Sequence, residues 1–325
     1  MPRKKATDGP QFGIPPDLVV GPDAQFLPLA GEVNWGMATF GVDVLRTVTK
    51  GEGVITGVID TGVDRTHPLL SNVFASKNFA SRHSGDRNGH GTHCTGTVGA
   101  TDPRIGVAIG ARLCHAGGLG DSGNGSDTAL NAAMDWCVEQ GAEILSCSWG
   151  SSAPAPSIID RLKGYADEGI WPVFAAGNSG GNTPDVDWPG RSEYCIDVAA
   201  LAADLSPASF TSAGAKIDTA GPGVGIWSTK TGGGFRQMSG TSMATPFVAG
   251  LLTLYRSALK LRGLPIPRVD ELRRLLFSRS TDTHTPGDDR RTGPGWVTPL
   301  LLVLSLTPLP PPVRSTERSG DDAIA

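Results

Sequence analysis

The chain has 325 residues, 39% hydrophobic and 18% charged, with 28 Lys+Arg against 32 Asp+Glu and a formal net charge of −4. That length accommodates one large domain or two small ones, and the weak acidity gives no electrostatic basis for binding nucleic acid or anionic lipid. Apolar runs such as residues 300–304 fall far short of the ~18–20 residues that cross a bilayer, which leaves no membrane partner to expect. The start Met1-Pro2-Arg3-Lys4-Lys5 has no apolar stretch after it of the kind a signal peptide needs. Glycine is the outlier, 44 of 325 residues, nearly twice the ~7% average, without a collagen-like period. Such an excess points to tight turns and close backbone approaches. The five cysteines (94, 114, 137, 147 and 195) are odd in number and lack C-x-x-C spacing, so they read as buried free thiols. Together with the missing signal peptide they predict a cytoplasmic protein.

In chain order, residues 1–32 are rich in Pro, Gly and polar residues and read as a flexible arm. Gly53–Asp60 is a β-branched apolar run expected to be a buried parallel strand. Similar runs follow at Arg112–Ala116, Glu143–Ser148, Ile170–Ala176 and Cys195–Ala200. Helical patterns lie between or after them at His90–Ala100, Asp127–Gln140, Ile158–Glu168, Thr241–Lys260 and Val269–Phe277. This alternation predicts one α/β domain over residues 33–304, a mostly parallel sheet with helices on both faces. Residues 305–325, with Pro308, Pro310, Pro311 and Pro312 among charges, read as a disordered tail.

Ligands of such sheets sit beyond the carboxyl ends of the strands, where three segments carry chemistry. Val58-Ile59-Asp60-Thr61-Gly62 ends a strand on a carboxylate; Asn88-Gly89-His90-Gly91-Thr92-His93 opens a helix on a histidine; Ser239-Gly240-Thr241-Ser242 opens another on a serine. A serine hydroxyl needs a base, and the base an orienting group, to become a nucleophile. Each segment alone also suits a turn former, a structural histidine or an N-cap.

Jointly, in the order Asp60, His90, Ser242, they resemble the subtilisin-like serine peptidases, from about Val33 to Val303. VIDTGVDRTHPLL, NGHGTHCTGTVGA, AAGNSG and SGTSMATPFVAG match the four motif blocks of that family. The resemblance implies a three-layer subtilisin-like fold in which Asp60 orients His90, His90 acts as base then acid, and Ser242 attacks the carbonyl. Asn178 would donate its amide to the oxyanion, and His67 and His93 would be structural. An extended polypeptide substrate would lie between Ser148-Trp149-Gly150 and Gly123-Asn124-Gly125, with Ala175-Ala176-Gly177 as the opposite wall of the first pocket. Asp187, at that pocket's floor, and Asp127, near the rim of the fourth, favour a basic residue before the scissile bond. Trp188-Pro189 matches a bond that is often cis.

Leu69 and Pro103 stand where many relatives place ligands of a high-affinity calcium site, so that site is expected to be missing; weaker calcium sites stay open, and no other cofactor or metal is implied. The short N-terminal region resembles the intracellular branch, whose arm covers the cleft, and Phe26-Leu27-Pro28-Leu29 is the segment expected to do so. Cys94, on the helix of His90, reads first as a small buried packing residue; the resemblance adds sensitivity to mercurials as a secondary expectation. The leading function is a serine endopeptidase acting through an acyl-enzyme. A peptide cyclase with the same triad and a non-catalytic peptide-binding pseudoprotease are the alternatives, and the oligomeric state is left open.

Overall fold

In the computed structural model, residues 10–14, 19–25 and 34–297 are described. Two short strands, β1 (Phe12–Gly13) and β2 (Val19–Ala24), precede two one-turn helices, α1 (Trp35–Thr39) and α2 (Val42–Arg46). The doubly wound unit follows: β3 (Ile55–Asp60), β4 (Val73–Asn78), α3 (His90–Gly99), β5 (Arg112–Gly117), β6 (Asn124–Gly125), α4 (Asp127–Glu139) and β7 (Ile144–Cys147). It continues through α5 (Pro156–Asp167), β8 (Trp171–Ala175), β9 (Ile196–Leu201), β10 (Thr219–Pro222), β11 (Ile226–Thr229), β12 (Phe235–Ser239), α6 (Thr241–Leu261) and α7 (Val269–Ser278).

Seven strands form one sheet in the order β10-β9-β8-β7-β3-β5-β4, every pair parallel. Successive side chains enter opposite cores, Val58 one and Ile59 the other, which is why the strands read as continuous apolar runs. One face carries α3 and α6, the other α4 and α5, so the expected three layers are present. From Thr241 to Leu259 every residue of α6 is buried, as befits a helix with apolar or small side chains all round. Among the described residues, no helix is long and apolar enough to cross a membrane.

The strand order reverses between β3 and β7, and a crevice opens there at the carboxyl ends of the strands. Trp149 closes its base: the indole N–H donates to the Ile59 carbonyl at 3.0 Å. Helix α3 is seated close to the turn after β3 because Gly91 has no side chain; a Cβ there would lie 2.2 Å from the Gly62 carbonyl oxygen.

The expected strands and helices appear to within one or two residues at most ends. Edge strands β4 and β10 and the hairpin β11–β12 had no clear sequence pattern. The larger difference is in the arm, whose described parts are strands and not free chain. Its Gly- and Pro-rich composition hides this, since main-chain pairing with a sheet edge needs no apolar run. The tail 305–325 and the segment Phe26-Leu27-Pro28-Leu29 lie outside the described residues.

Candidate active site

The crevice collects one residue from each motif. Asp60 ends β3, His90 is the first residue of α3, and Ser242 is the second residue of α6. All three are fully buried. His90 Nδ1 and Asp60 Oδ1 are 2.7 Å apart. The Thr61 N–H also donates to Asp60 Oδ1, at 2.8 Å, which holds the carboxylate in place. Asp86, which sequence reading passed over, sets the start of α3. Its oxygens accept the N–H groups of Asn88, Gly89 and Thr92 at 3.1, 2.8 and 2.8 Å, replacing bonds a helix start cannot make within itself.

Ser242 is placed by the geometry of α6. Pro246 has no N–H to offer the Ser242 carbonyl one turn earlier. The carbonyl is instead met by the Ser148 hydroxyl at 3.0 Å and the Cys94 thiol at 3.4 Å. The Ser242 hydroxyl in turn donates to the Ser148 carbonyl at 3.3 Å. Asn178 follows β8, and its side-chain oxygen is pinned by the Thr241 N–H and hydroxyl at 3.0 and 2.9 Å. Its Nδ2 is buried and has no partner among the described residues. A buried donor left free is costly unless a ligand uses it, and here it sits beside the α6 N-terminus, whose dipole favours negative charge.

Burial alone would lower His90, but the charge of Asp60 and the bond to it raise the imidazole well above its ordinary 6.5. A group that serves as general base works only when neutral, and a raised pKa moves that requirement to higher pH. The acid limb of kcat/KM is therefore expected above pH 6.5, and Asp60→Asn should move it toward acid. A limb below pH 6.5 in the unaltered protein would count against the pair controlling the base.

The other histidines hold the frame. His93, pushed down to about 3 by burial and by His90, uses Nε2 to donate to the Ile226 and Arg236 carbonyls, both at 3.1 Å. His67 bonds the Gly234 carbonyl through Nε2 and accepts the Leu69 N–H at Nδ1. Cys94 Sγ lies 3.7 Å from His90 Nδ1, and burial raises its pKa, so it stays a thiol. Asp60, His90 and Cys94 offer metal-ligating atoms within 4.8 Å of one another, but a metal there would take the base away from Ser242.

The cleft carries part of this chain's own arm. Phe12 and Gly13 pair antiparallel with Gly125 and Asn124, and the Ile14 N–H donates to the Gly123 carbonyl at 3.0 Å. On the other side Gly13 and Gly150 exchange both main-chain bonds at 3.1 Å. Three residues thus complete a sheet between the two edges expected to hold a substrate. Phe12 is 1% exposed, edge-on to Trp149 with ring centroids 5.7 Å apart. Further along, β2 pairs with β12, the strand that leads into Ser242. Asp23 of β2 is held well below the usual carboxylate range by its bonds to Arg236, at 2.6 Å, and Lys230, also at 2.6 Å.

Gly150 and Gly177 face each other across Asp187, whose carboxylate is raised by burial against an opposing effect of Arg191. The Trp188–Pro189 bond is cis. Asp127 opens α4, where its carboxylate accepts the Thr128 N–H at 2.8 Å and the Ser157 hydroxyl at 3.3 Å; Phe12 packs in the apolar cluster with Trp149.

An ordered Asp, His and Ser at the switch point of a parallel sheet, with a free amide donor beside them, define a hydrolase-type triad site. The subtilase family model matches residues 51–295, and this chain belongs to that family. M-protease of Shouchella clausii is 34% identical over 241 residues, 72% of this chain and 62% of that protein. Subtilisin DY of Bacillus licheniformis is 34% identical over 256 residues, 76% of this chain and 90% of its own length. The intracellular serine protease of Paenibacillus polymyxa is 33% identical over 238 residues, covering 69% and 73%. The chain thus spans about three fifths of the first of these relatives.

Proposed function

We propose that the protein is a serine endopeptidase that cleaves extended polypeptides through an acyl-enzyme on Ser242. The observation that carries this is the buried His90–Asp60 pair at 2.7 Å, set beside Ser242 and the unpartnered Asn178 Nδ2. His90 takes the Ser242 proton, the imidazolium is stabilised by Asp60, and the oxyanion meets Asn178 and the Ser242 N–H. His90 then gives its proton to the leaving amine, and water hydrolyses the ester by the same steps. Labelling of Ser242 by a fluorophosphonate probe tests the assignment; absence of labelling in folded protein would favour a peptide-binding role. Asp187, between the walls of the first pocket, supports a preference for Lys or Arg before the scissile bond. The five buried cysteines are unpaired, which supports a reducing compartment.

We further read the arm as an internal blocker. A peptide continuing the register of Gly13 on Gly150 meets Ser148, and so Ser242, two residues after Gly13. In this chain Pro15 and Pro16 follow Ile14. Truncating a buried phenylalanine costs about 3–5 kcal/mol, and part of that loss falls on the arm-bound state. Phe12→Ala is therefore expected to raise the initial rate on a short peptide about tenfold or more, and an unchanged rate would show that the arm does not block.

The calcium site expected in many relatives does not fit this chain. Arg46, its side chain 8% exposed, donates to the carbonyls of Pro103 (3.0 Å), Val107 (3.1 Å) and Gly106, so the loop's oxygens already have a cation. Chelation is expected to leave Tm within about 1 °C, whereas Arg46→Ala, which strips three carbonyls of their partner, should lower it by several degrees.

A further inference from the structure

We propose that Asp197 is a second carboxylate reading the residue before the scissile bond, placed beneath the pocket floor to pair with the charged end of a lysine or arginine side chain. This rests on the basic-residue reading of Asp187 and adds the group that decides it at depth. Residues 187–190 close the pocket between the two walls. Asp187 Oδ2 stands where Cβ atoms on Gly150 and Gly177 would come within 3.2 and 2.5 Å of it. Behind the same turn, a Cβ on Gly190 would lie 2.2 Å from Asp197 Oδ1. The absence of that side chain leaves the carboxylate separated from the floor by bare backbone alone.

Asp197 sits on β9 opposite Phe174 of β8, fully buried, and neither of its oxygens has a partner among the described residues. The charged groups around it are Lys216, Asp218, Asp187 and Asp185. Lys216, the nearby cation, is already committed to Asp218 at 2.5 Å and to the Cys195 carbonyl at 3.4 Å, and Asp218 also holds Arg273 at 2.7 Å. Burial pushes the Asp197 pKa well above the ordinary carboxylate range, which favours its neutral form. An acid so placed, with no internal partner, destabilises the fold unless a ligand group uses it. A cation entering between the walls supplies that partner: the ammonium or guanidinium goes in, one proton leaves Asp197, and net charge in the pocket is conserved. A neutral side chain offers no such exchange.

The test is kcat/KM of the full-length protein on peptides differing only as Lys, Arg, norleucine or Phe before the scissile bond. The arm competes with each alike, so the ratios do not depend on it. The unaltered protein is expected to prefer Lys and Arg. Asp197→Asn should lower the Lys-to-norleucine ratio about tenfold or more through KM, with an unchanged circular dichroism spectrum and thermal transition as the check on folding. A ratio that holds within twofold in Asp197→Asn but falls in Asp187→Asn overturns the role of Asp197 and leaves the basic preference standing. An unaltered protein that prefers norleucine or Phe overturns both. Should Asp197→Asn not fold, calorimetric titration of Asp187→Asn protein with benzamidine in two buffers of different ionisation enthalpy decides. Release of about one proton per bound cation is expected, and binding without proton release overturns the proposal.

Discussion

Replacing Ser242 by alanine is expected to lower kcat by about 10⁴–10⁶-fold while leaving KM close to its original value. In the proposed mechanism the bond to the substrate carbonyl forms at Ser242 Oγ, so its removal would eliminate the acyl-enzyme and leave only binding and the oxyanion donors. Structural cost is small: the hydroxyl makes a single long bond, to the Ser148 carbonyl at 3.3 Å, while the Ser242 carbonyl keeps its bonds to Ser148 and Cys94. Steady-state kinetics with an intact thermal transition is the measurement. Loss of fluorophosphonate labelling in the same variant ties the rate to that atom. Activity retained above about 1% in Ser242→Ala would place the nucleophile elsewhere.

The second large effect is expected at Asn178. Asn178→Ala should reduce kcat by about 10²–10³-fold, or ~3–4 kcal/mol of transition-state stabilisation, with little change in KM. The reason lies in how its two ends differ. Oδ1 is fixed by Thr241, and Nδ2 is buried without a partner among the described residues, so the donor is already aimed before charge develops. An interaction made only in the transition state appears in kcat and not in ground-state binding. The alanine also leaves the Thr241 N–H and hydroxyl unpaired, so a modest fall in Tm accompanies it. A Thr241→Val variant separates the two roles: loosening Oδ1 should cost kcat less than losing Nδ2 does. Equal losses in KM and kcat for Asn178→Ala would mean that the amide binds substrate uniformly and is not an oxyanion donor.

Much of this site was legible because its chemistry is local. Asp60, His90 and Ser242 each stand at a strand end or helix start, in short segments whose glycines and small residues mark close approach. Asn178 and both substrate edges could be placed by resemblance to one family. Other determinants had no local signal. Asp86, Arg46 and Asp197 are ordinary charged residues in sequence, and their meaning depends on what surrounds them. Asp86 caps the helix of His90, Arg46 occupies carbonyls of a loop about sixty residues later, and Asp197 is stranded without a partner. The arm shows the same limit more plainly. The described segment in the cleft is Phe12-Gly13-Ile14, held largely through main-chain atoms that carry no residue signature.

The sequence by itself determined the layered α/β architecture, because apolar runs of strand length alternating with helical periods leave few other ways to bury both sheet faces. It also singled out Asp60, His90 and Ser242 as the candidate triad, because nucleophile, base and orienter each need a particular side chain at an element's end. The tertiary structure alone decided the distances, which side chains are left unpaired, and what lies in the cleft. Those follow from burial and from main-chain pairing between segments more than a hundred residues apart, such as Gly13 and Gly150, and neither is written in any local pattern.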